Sequence, residues 1–492
     1  MLKQNLTPLF SGLVDFIQSN PVPFHIPGHK KGKGMDPEFR DFIGKNALAM
    51  DLINIAPLDD LHKPHGFIRE AQELAAEAFG ADATFFSVQG TSGAIMTMVL
   101  AATKPGDKIL VPRNVHKSVL AAIIFSGAVP VFIYPEIDHD LGISHGISTE
   151  AVKKAIAQHP DAKALLVINP TYFGVCADLK QIVEIAHAYH IPVLVDEAHG
   201  VHIHFHEKLP MSAMEAGADM AATSVHKLGG SMTQSSVLNV KEGLVSANHV
   251  QSILSMITTT STSYLLLASL DAARRFLATE GHGQIERAIN LADYAREKIN
   301  AIPGLYSPGK EILKTSATYA LDPTKLLVSV KRLGMTGYEA ESWLREHYRI
   351  EVELSDLYNI LCIITPGDSR DSINYLISAL AEMAASFGSD EGAGHKQIPV
   401  HVAEMPRLAL SPRDAFYAET ESVPFRESIG RIIAEFVMVY PPGIPIFTPG
   451  EIITAENLDF IEENIEAGLP VQGPEDPTLR MLKVVKENVP IR

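Results

Sequence analysis

Between residues 83 and 240 the chain repeats one pattern: a short run apolar on both faces, then an amphipathic stretch. The runs are "ATFFSV" (83–88), "KILVP" (108–112), "PVFIY" (130–134), "ALLVI" (164–168), "PVLVD" (192–196), "DMAATS" (219–224) and "SSVLNV" (235–240). Helical spacing of apolar residues occupies 92–103, 117–126, 150–158 and 178–189 between several of them. Strands without a polar face, separated by helices, belong in a mainly parallel sheet covered on both sides. Such a sheet gathers its functional residues at the carboxyl ends of its strands.

The flanks read differently. Residues 1–70 are predicted as an irregular arm rich in Pro, Gly and His ("PVPFHIPGHKKGKG"), and 285–302 as one helix leading out of the core. A smaller α+β segment follows, with a strand at 325–330, a helix at 337–348 and a strand at 359–366. "GSDEGAGHKQ" (388–397) reads as a polar linker before a last segment carrying "YPPGIPIFTPGE" (440–451). The expected division is an arm at 1–70, a large α/β domain at 71–303, a small α+β domain at 304–390 and a C-terminal domain at 398–492. A chain of 492 residues, 46% hydrophobic, has material for that many cores. Its net charge is −17, and no basic block stands out beyond "HKKGK" (29–33), which argues against a nucleic-acid or anionic-membrane partner. Two cysteines, Cys176 and Cys362, make no disulfide framework. No apolar stretch reaches the length of a membrane span or a signal-peptide core, so a cytoplasmic location is expected.

Four motifs fall at predicted strand ends. "SVQGTSG" (87–93) opens a helix, and Thr91, Ser92 and Gly93 with the free N–H groups there form either a phosphate cradle or an ordinary capped turn. "RNVHKS" (113–118) places His116 at a sheet end, as a core residue, a general acid/base or a flat ring stacked on an aromatic ligand. In "VLVDEAHGVHIHFH" (193–206), Asp196 ends an apolar strand, where a carboxylate is costly unless paired, and His199 lies three residues on. In "TSVHKLGG" (223–230), Lys227 sits among small residues, where partial desolvation would lower its pKa and free the amine to attack a carbonyl. A phosphate anchor, a ring face, a counter-charge and a reactive lysine are the four requirements of pyridoxal 5'-phosphate.

With "GTSG", "RNVHKS", "DEAHG", "SVHKLGG" and "YPPGIPIFTPGE", and with the "FHIPGHKKGKGMDPEF" and "DLINIAPLDDLH" stretches, nearly the whole chain resembles the PLP-dependent ornithine/lysine/arginine decarboxylases. It is most similar to the short biosynthetic arginine decarboxylases of Bacillus-type bacteria, which make agmatine for polyamines. The resemblance implies an aspartate-aminotransferase-like, fold-type-I large domain with a mainly parallel seven-stranded sheet, plus the smaller α+β and C-terminal domains. By matched motif, Lys227 would carry the cofactor covalently and Asp196 would pair with its ring nitrogen. His116 would stack on the ring face, with His199 a further ring contact, and His226 would sit beside the reacting carbon. Thr91, Ser92 and Gly93 with Ser224 would hold the phosphate. Thr258 or Thr259 would reach the phosphate of a partner subunit, implying a homodimer or higher homo-oligomer with shared active sites. Asp59, Asp60 and Glu451 are the candidate acids for a basic side chain of a small amino acid substrate; Asp59 and Asp60 read at least as well as helix caps, whereas for Glu451, otherwise a surface acid after a turn, the resemblance favours the substrate role.

Three other readings use the same residues. An aminotransferase would need a carboxylate-gripping arginine, for which Arg370 is the one candidate. A metal-dependent hydrolase would be built on His202, His204 and His206, which alternate and would share one face of a strand; no acidic cluster completes such a site, so no metal is expected. A decayed, non-catalytic relative would be free to lose Lys227 or Asp196, and both are present.

Overall fold

The computed structural model of the chain describes residues 3–387, 404–439, 444–466 and 471–486. Seven strands form one sheet: β1 (Ala83–Ser87), β2 (Lys108–Pro112), β3 (Val129–Ile133), β4 (Ala164–Ile168), β5 (Val193–Asp196), β6 (Met220–Thr223) and β7 (Ser236–Val240). Their order is β1-β7-β6-β5-β4-β2-β3. β7 runs antiparallel to both its neighbours, β1 and β6, whereas β5/β6, β2/β4 and β2/β3 are parallel. Every residue of β5, β6 and β7 is buried, as the two-sided apolar pattern requires. All seven strands predicted from the sequence are present.

The chain divides into two compact units. The first comprises Met1–Ala102, Ile168–Pro170 and Leu179–Glu286, and so holds β1, β5, β6 and β7. Its N-terminal part is not the irregular arm expected, since helices occupy Pro8–Gln18, Pro37–Ile43 and Lys45–Met50. The first of these buries Leu9 and Leu13, one turn apart. Its exposed N–H groups are capped from far away: Asp271 Oδ2 accepts from Leu9 N and Phe10 N at 3.0 and 3.2 Å, while Thr7 makes no side-chain cap. With the cap on a distant helix, the local start signal is limited to Pro8 at the first helical position. The helix expected at 285–302 runs from Tyr264 to Asn300, passing through Gly281 and Gly283. Two glycines cost a helix only about 1 kcal/mol each, and burial along the helix outweighs that.

The second unit comprises Thr103–Val167, Thr171–Asp178 and Arg287–Arg492. It carries an antiparallel sheet of order β8-β10-β9, from β8 (Lys325–Ser329), β9 (Leu354–Ser355) and β10 (Asn359–Ile363). The helix Gly337–Tyr348 starts in a capping box, Thr336 with Glu339, and packs Ala340 and Leu344 into a core with Leu326, Val328 and Ile360. Towards the C-terminus, β11 (Thr420–Pro424) pairs with β15 (Met481–Val485), and β12 (Val437–Val439) lies between β13 (Ile444–Phe447) and β14 (Val471–Gln472). Ile433, Phe447, Leu458 and Leu482 lie in its core. The predicted linker at 388–397 and the "YPPG" of 440–443 lie outside the described residues. Among the described residues no helix is long and apolar enough to cross a membrane.

Candidate active site

The carboxyl ends of β5 and β6 and the chain around them build one cluster in the first unit. β1 ends at Ser87, Gly90 takes φ +67°, and the helix Gly90–Ala102 begins there. Thr91 Oγ1 is hydrogen-bonded to Ser224 Oγ and lies 2.9 Å from Ser236 Oγ. Ser224 follows β6 and Ser236 opens β7, so three hydroxyls from three chain segments meet beside a helix N-terminus. Ser92 is half-buried in the same turn, and a Cβ on Gly93 would stand 3.0 Å from Gln89 Cβ. Ser236 carried no signal in the sequence, where it is an ordinary first residue of a strand.

Asp196, the last residue of β5, is buried, with Oδ1 accepting from Ala198 N at 3.2 Å. Burial pushes its carboxyl up to about 6, the Ala198 N–H and the nearby Lys227 charge pull it down, and Glu197 adds to the rise. Glu197 itself is fully buried and well compensated. Its Oε1 accepts from Ala213 N at 2.7 Å, and its Oε2 from His204 Nε2 at 2.7 Å and Thr223 Oγ1 at 3.0 Å.

Lys227 stands on the single-turn helix Val225–Leu228, half-buried, with Nζ 2.7 Å from His199 Nε2. The glycines that follow have separate reasons. A Cβ on Gly229 would meet the Val225 carbonyl oxygen at 2.8 Å, and Gly230 takes φ +83°. His226 Nδ1 lies 2.8 Å from the Ser235 carbonyl and donates to it, which leaves Nε2 as the unprotonated nitrogen of the neutral ring.

Other sequence candidates are used differently. Asp59 Oδ1 accepts from Asp60 N and His65 N, and Oδ2 from Gly66 N, Ile68 N and Arg69 N, so this carboxylate caps the helix Phe67–Phe79. Burial acts to raise its pKa, but those N–H groups outweigh burial and hold it below the usual carboxylate range. Asp60 is half-buried and accepts from His62 N at 3.0 Å. Thr258 Oγ1 donates to Leu254 O at 2.7 Å at the end of its own helix, whereas Thr259 is exposed. In the second unit, His116 caps the helix Lys117–Ser126, with Nδ1 accepting from Ser118 N. Glu451 is not a free acid: it is buried against Arg113 in a two-pronged ion pair. Arg370 lies over the Tyr294 ring, 3.1 Å from its centroid.

The three alternating histidines do not share a strand face, because Val201–Phe205 is a 3-10 turn. His204 is paired with Glu197. Among the described residues, His206, Glu207 and His282 bring three potential ligand atoms within 4.8 Å of one another. His206 Nδ1, however, accepts from Lys208 N, and Nε2 lies 2.7 Å from Glu286 Oε2.

Residues 7–372 match the major domain of the Orn/Lys/Arg decarboxylases, and residues 396–468 match that family's C-terminal domain. The chain belongs to the Orn/Lys/Arg decarboxylase family. It is 70% identical over 490 residues to a Bacillus anthracis protein named arginine decarboxylase, covering 100% of this chain and 99% of that one. It is 66% identical over 491 residues to a protein of the same name from Bacillus subtilis (strain 168), covering 100% of both. A crystal structure of the Francisella novicida lysine decarboxylase has a TM-score of 0.84 to this chain at 24% identity, covering 98% of this chain and 81% of that one, so the fold is shared. This family member is a decarboxylase with pyridoxal 5'-phosphate as its cofactor. The donor set fits that group. A buried carboxyl held up to about 6 lacks the full counter-charge that a ring N–H would bring, and it stands in the field of a half-buried lysine amine. The hydroxyl trio at a helix start supplies donors of the kind that a phosphate accepts from.

Proposed function

We propose that the chain decarboxylates L-arginine to agmatine and CO2, feeding polyamine biosynthesis in the cytoplasm. The observation that carries this is identity of 66–70% to proteins named arginine decarboxylase, over the whole chain for those of B. anthracis and B. subtilis. Pyridoxal phosphate, when bound, supplies an electron-poor ring that takes up the electron pair released with CO2. In this reading Lys227 Nζ holds the cofactor covalently, and His199 Nε2 exchanges a proton with that amine. Asp196 keeps its negative charge against the ring nitrogen and so holds a proton there. Thr91, Ser92, Gly93, Ser224 and Ser236 hold the phosphate, and His116, by its motif, covers the ring face. With Nδ1 committed to Ser235 O, His226 first takes up a proton from solvent at Nε2 and then passes it to the reacting carbon. Of the three candidate acids, Asp60 is retained for the substrate's basic side chain.

The same proposal includes a homodimer or higher homo-oligomer with shared active sites, Thr259 rather than Thr258 reaching the partner. Large apolar side chains exposed on residues 22–43, among them Phe24 at 94% and Phe42 at 89%, support burial against a second copy. The division at 1–70, 71–303, 304–390 and 398–492 is also part of it. The test is an absorption spectrum of the purified protein with borohydride reduction, then CO2 release from arginine, lysine and ornithine in parallel. A yellow protein whose band is lost on reduction, acting on arginine, is the expected result. Activity on lysine or ornithine alone overturns the substrate, and a protein that cannot be loaded with pyridoxal phosphate overturns the mechanism. Lys227→Ala should lose both the reducible link and turnover, and substantial residual turnover refutes its role.

A further inference from the structure

Arg113 is the residue immediately after β2, and its guanidinium turns into the C-terminal segment rather than outward. Nη1 donates to Glu451 Oε1 at 2.5 Å and Nη2 to Oε2 at 2.8 Å. Nε donates to Pro445 O and Nη2 to Ile446 O, both at 3.0 Å, and the guanidinium lies 4.4 Å from the Phe132 ring centroid. Glu451 Oε2 also accepts from Thr448 N at 2.7 Å, and both side chains are 1% exposed. A buried ion pair is weak evidence for stability, because the desolvation of two charges offsets most of their attraction. Orientation is what this one provides: a planar fork on one carboxylate and two carbonyls admits a single placement.

That placement sets where the chain leaves β2. Three residues later His116 caps the helix Lys117–Ser126. At the opposite end of that helix Arg413 Nη1 donates to Phe125 O at 2.9 Å, and the Arg413 stem lies 3.2 Å from where a Cβ on Gly127 would stand. The C-terminal segment therefore holds the chain at Arg113, just ahead of this short helix, and at Phe125 in its last turn, from 338 and 288 positions away in sequence.

We propose that Arg113 and Glu451 are positioning residues that fix His116 and the start of its helix, and that Glu451 does not touch substrate. The inference rests on the proposed role of His116 at the ring face. Glu451→Gln and Arg113→Met are compared with wild type in the full-length enzyme, first freed of and then titrated with pyridoxal phosphate. The paired Arg113→Met with Glu451→Leu, which leaves no unpaired buried charge, and the less buried Arg413→Met serve if a single variant does not fold. Three readouts are taken: the cofactor dissociation constant, kcat and KM for arginine, and amide hydrogen exchange over residues 114–119 without cofactor. The expected result is cofactor binding weaker by about tenfold and kcat lower by about tenfold, with KM changed less than about threefold. Exchange over 114–119 should quicken, and Arg413→Met should show the same trend more weakly. A KM raised by about a hundredfold, with cofactor affinity and exchange unchanged, would assign Glu451 to the substrate and overturn the inference. Wild-type values in folded variants also overturn it. Failure of the underlying reading is separable, since a folded His116→Ala enzyme would then keep wild-type cofactor affinity and kcat whatever the Arg113 and Glu451 variants do.

Discussion

Replacing Asp196 with Asn should make the cofactor-free protein more stable while removing its chemistry. Burial lifts the Asp196 carboxyl from 3.8 to about 6 in the folded chain. The folded state therefore binds a proton more tightly than the unfolded one between those values. The stability this group contributes is fully present below about pH 4 and is lost as the pH rises through about 6. At 1.36 kcal/mol per pH unit, the interval amounts to about 3 kcal/mol. An asparagine still offers an oxygen to Ala198 N and carries no charge to desolvate. Urea unfolding of both cofactor-free proteins across this pH range measures the difference. The variant should be more stable by about 3 kcal/mol near pH 8, with the advantage vanishing near pH 4. Adding pyridoxal phosphate should reverse the ranking, because its ring nitrogen gives Asp196, and not the amide, a cation to pair with. A pH-independent difference, or a variant less stable than wild type near pH 8, refutes the reasoning.

Other outcomes follow from the same geometry. His204→Phe leaves the fully buried Glu197 with only the Ala213 N–H and the Thr223 hydroxyl, and should cost about 3 kcal/mol in thermal or urea unfolding near neutral pH; a loss under about 1 kcal/mol would refute a structural role for the His204–Glu197 pair. Gly229→Ala drives a methyl to 2.8 Å from the Val225 carbonyl, a backbone atom with little room to give. It should lower stability by about 1–3 kcal/mol and reduce bound cofactor as read by absorbance, whereas an unchanged spectrum and midpoint would show that residues 225–230 shift freely. Ser236→Ala removes one hydroxyl of the trio and should weaken pyridoxal phosphate binding by about tenfold in a titration of the cofactor-free protein; unaltered affinity would remove Ser236 from the phosphate site.

The parts of this protein legible in its sequence are those decided by neighbours along the chain. Seven runs apolar on both faces marked the sheet, because the pleat period acts over two residues, and the helix read at 337–348 spans Gly337–Tyr348. Motifs at strand ends nominated Asp196, His199, Thr91, Ser224 and Lys227, since a parallel sheet delivers its strand ends to one edge. The helix Pro8–Gln18 was missed although Pro8 at its first position is a local signal, its capping acceptor being the distant Asp271, and Ser236 was missed because a serine opening a strand is chemically silent until Thr91 stands beside it.

The sequence by itself determined the sheet and the placing of Lys227 and the buried Asp196 at its strand ends. Only the tertiary structure decided which charges are free to act. Glu451 and Asp59 read as available carboxylates, yet one meets Arg113 from 338 residues away and the other accepts five backbone N–H groups. Residue type sets what a side chain can bond, and spacing sets its local backbone. Burial forces every charged group to find a partner, and that partner is chosen by proximity in the folded chain, which no local pattern records.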